Sequence, residues 1–274
     1  MAPSAAIRIA ALQMSSQSDV AENLSQAAEL VRSAAQRGAE LVILPENFAF
    51  LGAETDKRAL AEQLGDAEAP IQAAVSRLAR EAKITIVAGG MPELSGDDKR
   101  PYNSCVVFGP DGGLVARYRK IHLFDVELPD GSELRESAAV SAGVEPVVVE
   151  IGGFRVGLSI CYDLRFPELY RALVDRGAEV LLVPSAFTLQ TGKDHWHVLL
   201  RARAIESQCW LVAAAQWGRH LKNRASYGHA LIVDPWGTIV AECSDRVGLV
   251  IADADRAHLH RVRSMLPSLT HRRL

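Results

Sequence analysis

The sequence has no C-x-x-C pair, no long apolar run and no excess of positive charge, and each lack removes a class of protein. Its four cysteines, Cys105, Cys161, Cys209 and Cys243, are widely spaced. A disulfide scaffold or structural zinc site is therefore not expected, and a reducing cytoplasm is the expected compartment. Apolar runs stop at about seven residues, as in Cys209 to Ala215, where a membrane-spanning helix needs about 20. The opening MAPSAAIRIAALQM has no basic start followed by an apolar core, so no secretion signal is expected. Lys plus Arg number 30 against 33 Asp plus Glu, a net charge of −3. That balance argues against a nucleic-acid or anionic-membrane partner. Linkers and low-complexity segments are also missing. With 49% hydrophobic and 23% charged residues in 274, the chain has the composition of an ordinary globular protein, and residues 1–274 are expected to form one domain.

What is present is an alternation of strands and helices. Ile7 to Met14 reads as a strand, Val20 to Arg37 as an amphipathic helix closed by Gly38, and Leu41 to Leu44 as a wholly apolar strand. A strand apolar at every position suits a sheet covered on both faces. The construction recurs: RGAELVILPENF at Arg37 to Phe48 is echoed by RGAEVLLVPSAF at Arg176 to Phe187, each preceded by a strand and a helix. In both copies glycine ends the helix and proline stops the strand. Further strands are expected at Ile84 to Gly89, Asn103 to Phe108, Val115 to Tyr118, Phe154 to Ile160, Cys209 to Ala215, Tyr227 to Val233 and Thr238 to Glu242, with a helix over Lys193 to Ser207. The expected fold is α/β: two sheets sandwiched between helices in four layers, α-β-β-α, with an internal pseudo-two-fold repeat. Residues 265–274 read as a carboxyl-terminal arm.

Three chemistry-bearing residues share an address. Cys161 follows the strand ending at Ile160 and precedes Pro167, which is suited to open a helix. A thiol on such a turn stands among free backbone N–H groups, which should lower its pKa and favour a thiolate nucleophile; an inert strand-end thiol is the alternative. Glu46 follows a buried strand through Pro45, where partial desolvation should raise its pKa toward that of a general base; a turn carboxylate is the alternative. Lys120 follows the Val115 to Tyr118 strand and could hold a developing oxyanion. Strand carboxyl ends are where open α/β sheets place ligands. A base, a cation and a thiol meeting there suggest a nucleophilic hydrolase for a carbonyl bonded to nitrogen. His195 and His197, two apart on a helix, cannot form a zinc pair. His122 and His229 read as structural rather than as partners of a Cys–His dyad.

Leu44-Pro45-Glu46-Asn47, the run Arg119 to Gly131 (RKIHLFDVELPDG) and Cys161 to Glu168 (CYDLRFPE) resemble the three signature regions of the nitrilase superfamily of carbon–nitrogen hydrolases. The resemblance implies Glu46 as general base, Lys120 as oxyanion stabiliser and Cys161 as nucleophile. It also implies a second glutamate supporting the lysine, which matches Glu136 in Glu136-Ser137, with Glu127 as competitor. The mechanism it implies has Cys161 attack the amide carbon as Glu46 takes its proton. Lys120 and the Tyr162 backbone N–H hold the oxyanion, ammonia leaves, and water hydrolyses the thioester. The only reactants implied are a small amide and water, with no metal and no organic cofactor. Leu199 to His220 and Arg224 to Glu242 resemble most the deaminated glutathione amidase branch; ω-amidases and carbamoyl-amine hydrolases are the neighbouring branches. Arg165 could grip a substrate carboxylate, and Phe48 and Phe187 could wall the pocket or pack in the core. A homodimer is implied through the helices at Pro167 to Arg176 and Lys193 to Ser207 and the carboxyl-terminal arm.

Overall fold

A computed structural model describes residues 5–97, 99–127, 133–221 and 224–273. The stretch 128–131 of the second signature run, residues 1–4 of the opening segment and residue 274 of the arm lie outside the described residues.

The first half runs β1 (Ala6–Met14), α1 (Val20–Gln36), β2 (Leu41–Ile43), α2 (Pro70–Ala82), β3 (Thr85–Glu93), β4 (Tyr102–Phe108) and β5 (Leu114–Arg119). A small ribbon of β6 (Asp125–Glu127) and β7 (Glu133–Arg135) follows. The second half runs β8 (Val147–Ile151), β9 (Phe154–Leu158), α3 (Pro167–Asp175), β10 (Val180–Leu182), α4 (Leu189–Ser207) and β11 (Trp210–Ala213). Then come β12 (Ala215–Leu221), β13 (Arg224–Tyr227), β14 (Leu231–Val233), β15 (Ile239–Glu242), β16 (Gly248–Asp255) and α5 (Arg256–Met265).

The repeat seen in the sequence is a repeat of topology. In one sheet β1, β2 and β3 are parallel, and β4 and β5 continue antiparallel. In the other, β9, β10 and β11 are parallel, and β14 and β15 continue antiparallel. Each first strand also has an antiparallel neighbour on its far side, β16 beside β1 and β8 beside β9. Alternation along the strands explains the layering. Ile7, Ile9, Ala11, Leu41, Ile43 and Val87 face a central cluster shared with Phe154, Val156, Leu158 and Val180 of the second sheet. Their neighbours Ala10, Leu12, Met14, Val42, Leu44 and Ile86 face Ala27, Val31 and Ala34 of α1 and Val75 and Leu78 of α2. Period-two side chains thus feed two separate apolar layers. The α/β architecture, its sheets and its flanking helices are as expected.

Several boundaries differ. The segment read as one strand from Cys209 to Ala215 divides, β11 staying in the second sheet and β12 crossing to pair with β1. Tyr227 to Val233 divides likewise at Gly228 and His229, whose φ values of 81° and 58° turn the chain between β13 in the first sheet and β14 in the second. Helix α2 was not anticipated, although Pro70 at its first turn and buried Ile71, Val75, Leu78 and Ala79 carry the usual start and stripe. Helix α4 begins at Leu189, where the Thr188 side chain accepts from the Thr191 backbone N–H. Of the expected arm, Met265 closes α5; past it the chain is held to the body by Gln208 donating to the Leu266 carbonyl and by an Arg272–Asp175 ion pair. Among the described residues no helix is long and apolar enough to cross a membrane.

Candidate active site

Four strand ends converge. Glu46 comes from the turn after β2, Lys120 from the end of β5 and Cys161 from the turn after β9, while the turn after β10 carries Ala186. Lys120 Nζ lies 2.9 Å from Glu46 Oε1 and 2.8 Å and 3.0 Å from the two oxygens of Glu136. Cys161 stands where it feels the charges of both Glu46 and Lys120. The three sequence candidates and Glu136 therefore form one contiguous polar cluster, with Glu46 and Lys120 at 3% and 2% exposure. Glu127 lies exposed on the β6–β7 ribbon. Glu136 is the glutamate that meets the lysine, and the Phe124 N–H at 2.6 Å and the Asn103 side-chain amide at 3.4 Å help fix its orientation.

The backbone is shaped around these groups. Cys161 adopts φ +48° and Asn47 φ +59°, left-handed conformations that cost a side-chain-bearing residue about 1–3 kcal/mol and persist where the surroundings impose them. Cys161 N–H donates to the Pro184 carbonyl at 3.0 Å, and Asn47 N–H to Gly90 at 3.0 Å. A Cβ on Gly90 would approach Glu46 Cγ to 3.1 Å and Asn103 Oδ1 to 2.8 Å, so glycine leaves the space in which the carboxylate stands. The Cys161 turn is tied to the Lys120 segment by Asp163. This fully buried carboxylate accepts from Ile160 N–H (2.8 Å), Tyr118 O–H (2.7 Å) and His122 N–H (3.1 Å) and contacts His122 Nδ1 at 2.7 Å. It thus holds the residues flanking Cys161 and those flanking Lys120.

The electrostatics correct two expectations. Burial works to raise the Glu46 carboxyl, but the charge and hydrogen bond of Lys120, with the more distant Lys57, outweigh it and hold Glu46 below the ordinary carboxylate value. Cys161 goes the other way: burial and then the Glu46 charge push the thiol well above its ordinary value, against the opposing pull of Lys120 and the Ala186 N–H. The expected lowering fails because Cys161 opens a single helical turn, with α3 beginning only at Pro167; burial first, and then a neighbouring carboxylate, outweigh the few free N–H groups. Lys120 stays charged: desolvation alone would lower it, but Glu136 and Glu46 raise it well above the ordinary lysine value. The resting constellation is thus thiol, carboxylate and ammonium, suited to moving the thiol proton to Glu46 as the sulfur attacks.

Sequence reasoning missed Asn103, whose side chain donates to Glu46 at 2.9 Å. The signal was an asparagine within a strand, where its amide is otherwise disfavoured. It also missed Ala186, whose backbone N–H donates to Glu46 at 3.0 Å; no side-chain motif encodes that contact. Among the substrate-binding candidates, Phe187 lies beneath the Arg165 guanidinium at 5.1 Å, and Tyr162 lies 5.9 Å from the same cation. Phe48 is corrected. It is fully buried in the helix-side apolar layer with Met14 and Leu44, so it packs the core and walls no pocket. Two surface depressions lie elsewhere, at the β8 edge and beside Gly38 and Gly152, and neither touches the cluster.

Against known families, the carbon-nitrogen hydrolase model matches residues 8–264. The chain belongs to the carbon–nitrogen hydrolase family. Relatives of this carbon–nitrogen hydrolase include a protein of Synechocystis sp. named deaminated glutathione amidase, 50% identical over 96% of this chain and 97% of the relative. Among solved structures, the Saccharomyces cerevisiae Nit3 protein, a member of branch 10 of the nitrilase superfamily, superposes with a TM-score of 0.90 at 31% identity, covering 99% of this chain and 98% of that one. The Caenorhabditis elegans NitFhit protein superposes with a TM-score of 0.92 at 42% identity over 99% of this chain, which spans 66% of it.

Proposed function

We propose that the protein is a thiol amidase that hydrolyses an amide of deaminated glutathione, or of a similar small α-keto acid, through a cysteine thioester. The observation that carries this reading is the Lys120 ammonium, clamped by Glu46 and Glu136 beside a sulfur that feels the charges of Glu46 and Lys120. Identity of 50% to a protein bearing that name supports the substrate.

In the proposed cycle Cys161 attacks the amide carbon while Glu46 takes the thiol proton. The oxyanion rests on Lys120 and the Tyr162 backbone N–H, each such donor contributing about 10²–10³ in rate. Glu46 returns the proton to the departing nitrogen, and the C–N bond breaks to leave a thioester. Glu46 then deprotonates water, which releases the acid and regenerates the thiol. Both amide nitrogens of deaminated glutathione are substituted, so the group released is an amine; ammonia would leave only from a primary amide. Glu136 keeps Lys120 charged and aimed. Arg165, over Phe187 and 3.3 Å from His195 Nδ1, takes the carboxylate of the α-keto acid. The reading also holds residues 1–274 to be one catalytic domain with 265–274 as arm, working as a homodimer. The four free thiols support a reducing, cytoplasmic setting.

The test is side-by-side kinetics on deaminated glutathione and α-ketoglutaramate, with mass spectrometry of the trapped enzyme. The expected results are higher kcat/KM for the former and an acyl adduct on Cys161. Preference for α-ketoglutaramate with ammonia release would make it an ω-amidase. Turnover unchanged in Cys161→Ala would remove Cys161 as nucleophile, and no adduct with no turnover above background would leave a binding module.

A further inference from the structure

A second polar cluster lies at the base of α4, built from three elements distant in sequence. His197 of α4 places Nε2 2.9 Å from Glu242 Oε1, and His229, in the turn between β13 and β14, places Nδ1 2.7 Å from the same oxygen. The candidate ligand atoms of the three residues all lie within 4.8 Å of one another. His229 is held rigidly: φ is +58°, its ring stacks on Tyr227 at 4.5 Å, and its carbonyl accepts from Trp196 Nε1 at 2.9 Å.

The second observation is what lies on the far side of that ring. His229 Nε2 is 3.3 Å from Asp245 Oδ1, so both ring nitrogens face carboxylates. With an ion bound at Nδ1, the Nε2–H on the opposite edge of the ring would donate to Asp245. That is the carboxylate–histidine–metal relay by which outer carboxylates orient metal-bound histidines. Imidazole and carboxylate donors together suit zinc and its neighbours among divalent transition metals.

We propose that His197, His229 and Glu242 bind a divalent transition metal of the zinc type, with Asp245 orienting His229. A tetrahedral ion with bonds of about 2.0–2.1 Å holds its ligand atoms about 3.3 Å apart, so the present 2.7 and 2.9 Å separations open by only a few tenths of an ångström. The ion would tie α4, which starts two residues after Phe187, to the β13–β15 segment as a brace rather than a reactant. Spacing along the chain gave no hint of this: His195, the near neighbour of His197, turns instead toward Arg165. The site is independent of the amidase reading.

The test uses Cys161→Ala protein, so that the active-site thiol cannot take the metal, titrated with Zn²⁺ in competition with a chromogenic chelator. Expected are one zinc per chain, loss of that binding in His197→Gln and in His229→Ala, and affinity about 10–100-fold weaker in Asp245→Asn. Zn²⁺ should raise the melting temperature of the parent and leave that of His229→Ala unmoved, with circular dichroism confirming that each variant folds. Co²⁺ should give ligand-field bands without a thiolate charge-transfer band. The absence of saturable binding, binding undiminished in His197→Gln, or a thiolate band would each overturn the proposal; a melting temperature that responds to pH but not to zinc would identify His229 as a plain imidazolium.

Discussion

The turns that end Arg37–Phe48 and Arg176–Phe187 are built alike and do different work. In each, a glutamate after the glycine accepts from an arginine N–H on the first strand of its repeat, Glu40 from Arg8 and Glu179 from Arg155, both at 3.0 Å. In each, proline stops a three-residue buried strand. Beyond the proline they diverge. The first turn supplies a side chain, the Glu46 carboxylate; the second has Ser185 at the matching position and supplies the Ala186 backbone N–H that the carboxylate accepts. Two copies of one backbone face each other across the sheets, and the site arises where one contributes the acid and the other the donor. The last residues diverge as well: Phe48 is sealed in the helix-side layer, while Phe187 lies under Arg165 and against Trp196.

The sharpest way to break this contrast is paired substitution at the matching positions. Glu46→Gln should lower both acylation and thioester hydrolysis by about 10²–10⁴, whereas Ser185→Ala should leave kcat within a few-fold. Single-turnover and steady-state kinetics with fold monitored by circular dichroism would show it, and equal losses would dissolve the distinction. Next come the two phenylalanines. Phe48→Ala should destabilise by about 3–5 kcal/mol with little change in KM for the protein that folds. Phe187→Ala should cost less stability and raise KM. Denaturant melts beside kinetics decide, and a large KM effect at Phe48 would restore it to the pocket.

A smaller effect is expected at Arg165→Gln: about a tenfold rise in KM for an α-keto acid amide, corresponding to one charge-assisted hydrogen bond, and none for the matching amide lacking the carboxylate. The least change concerns pH. Glu46 is lowered from 4.5 and Cys161 raised from 9.0, so the base is ionised and the thiol protonated across the interval between. Within the range where the protein stays folded, kcat/KM should be flat from below 4.5 to above 9.0. An acid limb above 4.5 would show that Lys120 does not dominate the Glu46 carboxyl.

Much of the site was legible in the chain because it stands at strand ends, and strand ends are marked by local chemistry. Pro45, Pro167 and the apolar runs before Glu46 and Cys161 are short-range signals. The division of Cys209–Ala215 between two sheets was not legible, because a buried strand looks the same whichever sheet it joins. Glu136 could not be told from Glu127 by spacing alone; the Phe124 N–H that anchors Glu136 is a tertiary contact. Asp163 stood inside a signature run, yet its role needed Tyr118 and His122 brought to it from 45 and 41 residues away.

By itself, then, the order of residues determined the alternation of elements, their doubling and the three groups proposed to carry the chemistry, since propensity, periodicity and turn residues act over a few positions. Only the tertiary structure decided which charge outweighs which. Whether a thiol rises or falls, which apolar layer a phenylalanine joins, and whether two histidines share one carboxylate depend on distances between segments far apart in the chain. Coulomb and desolvation energies follow those distances, and no local pattern records them.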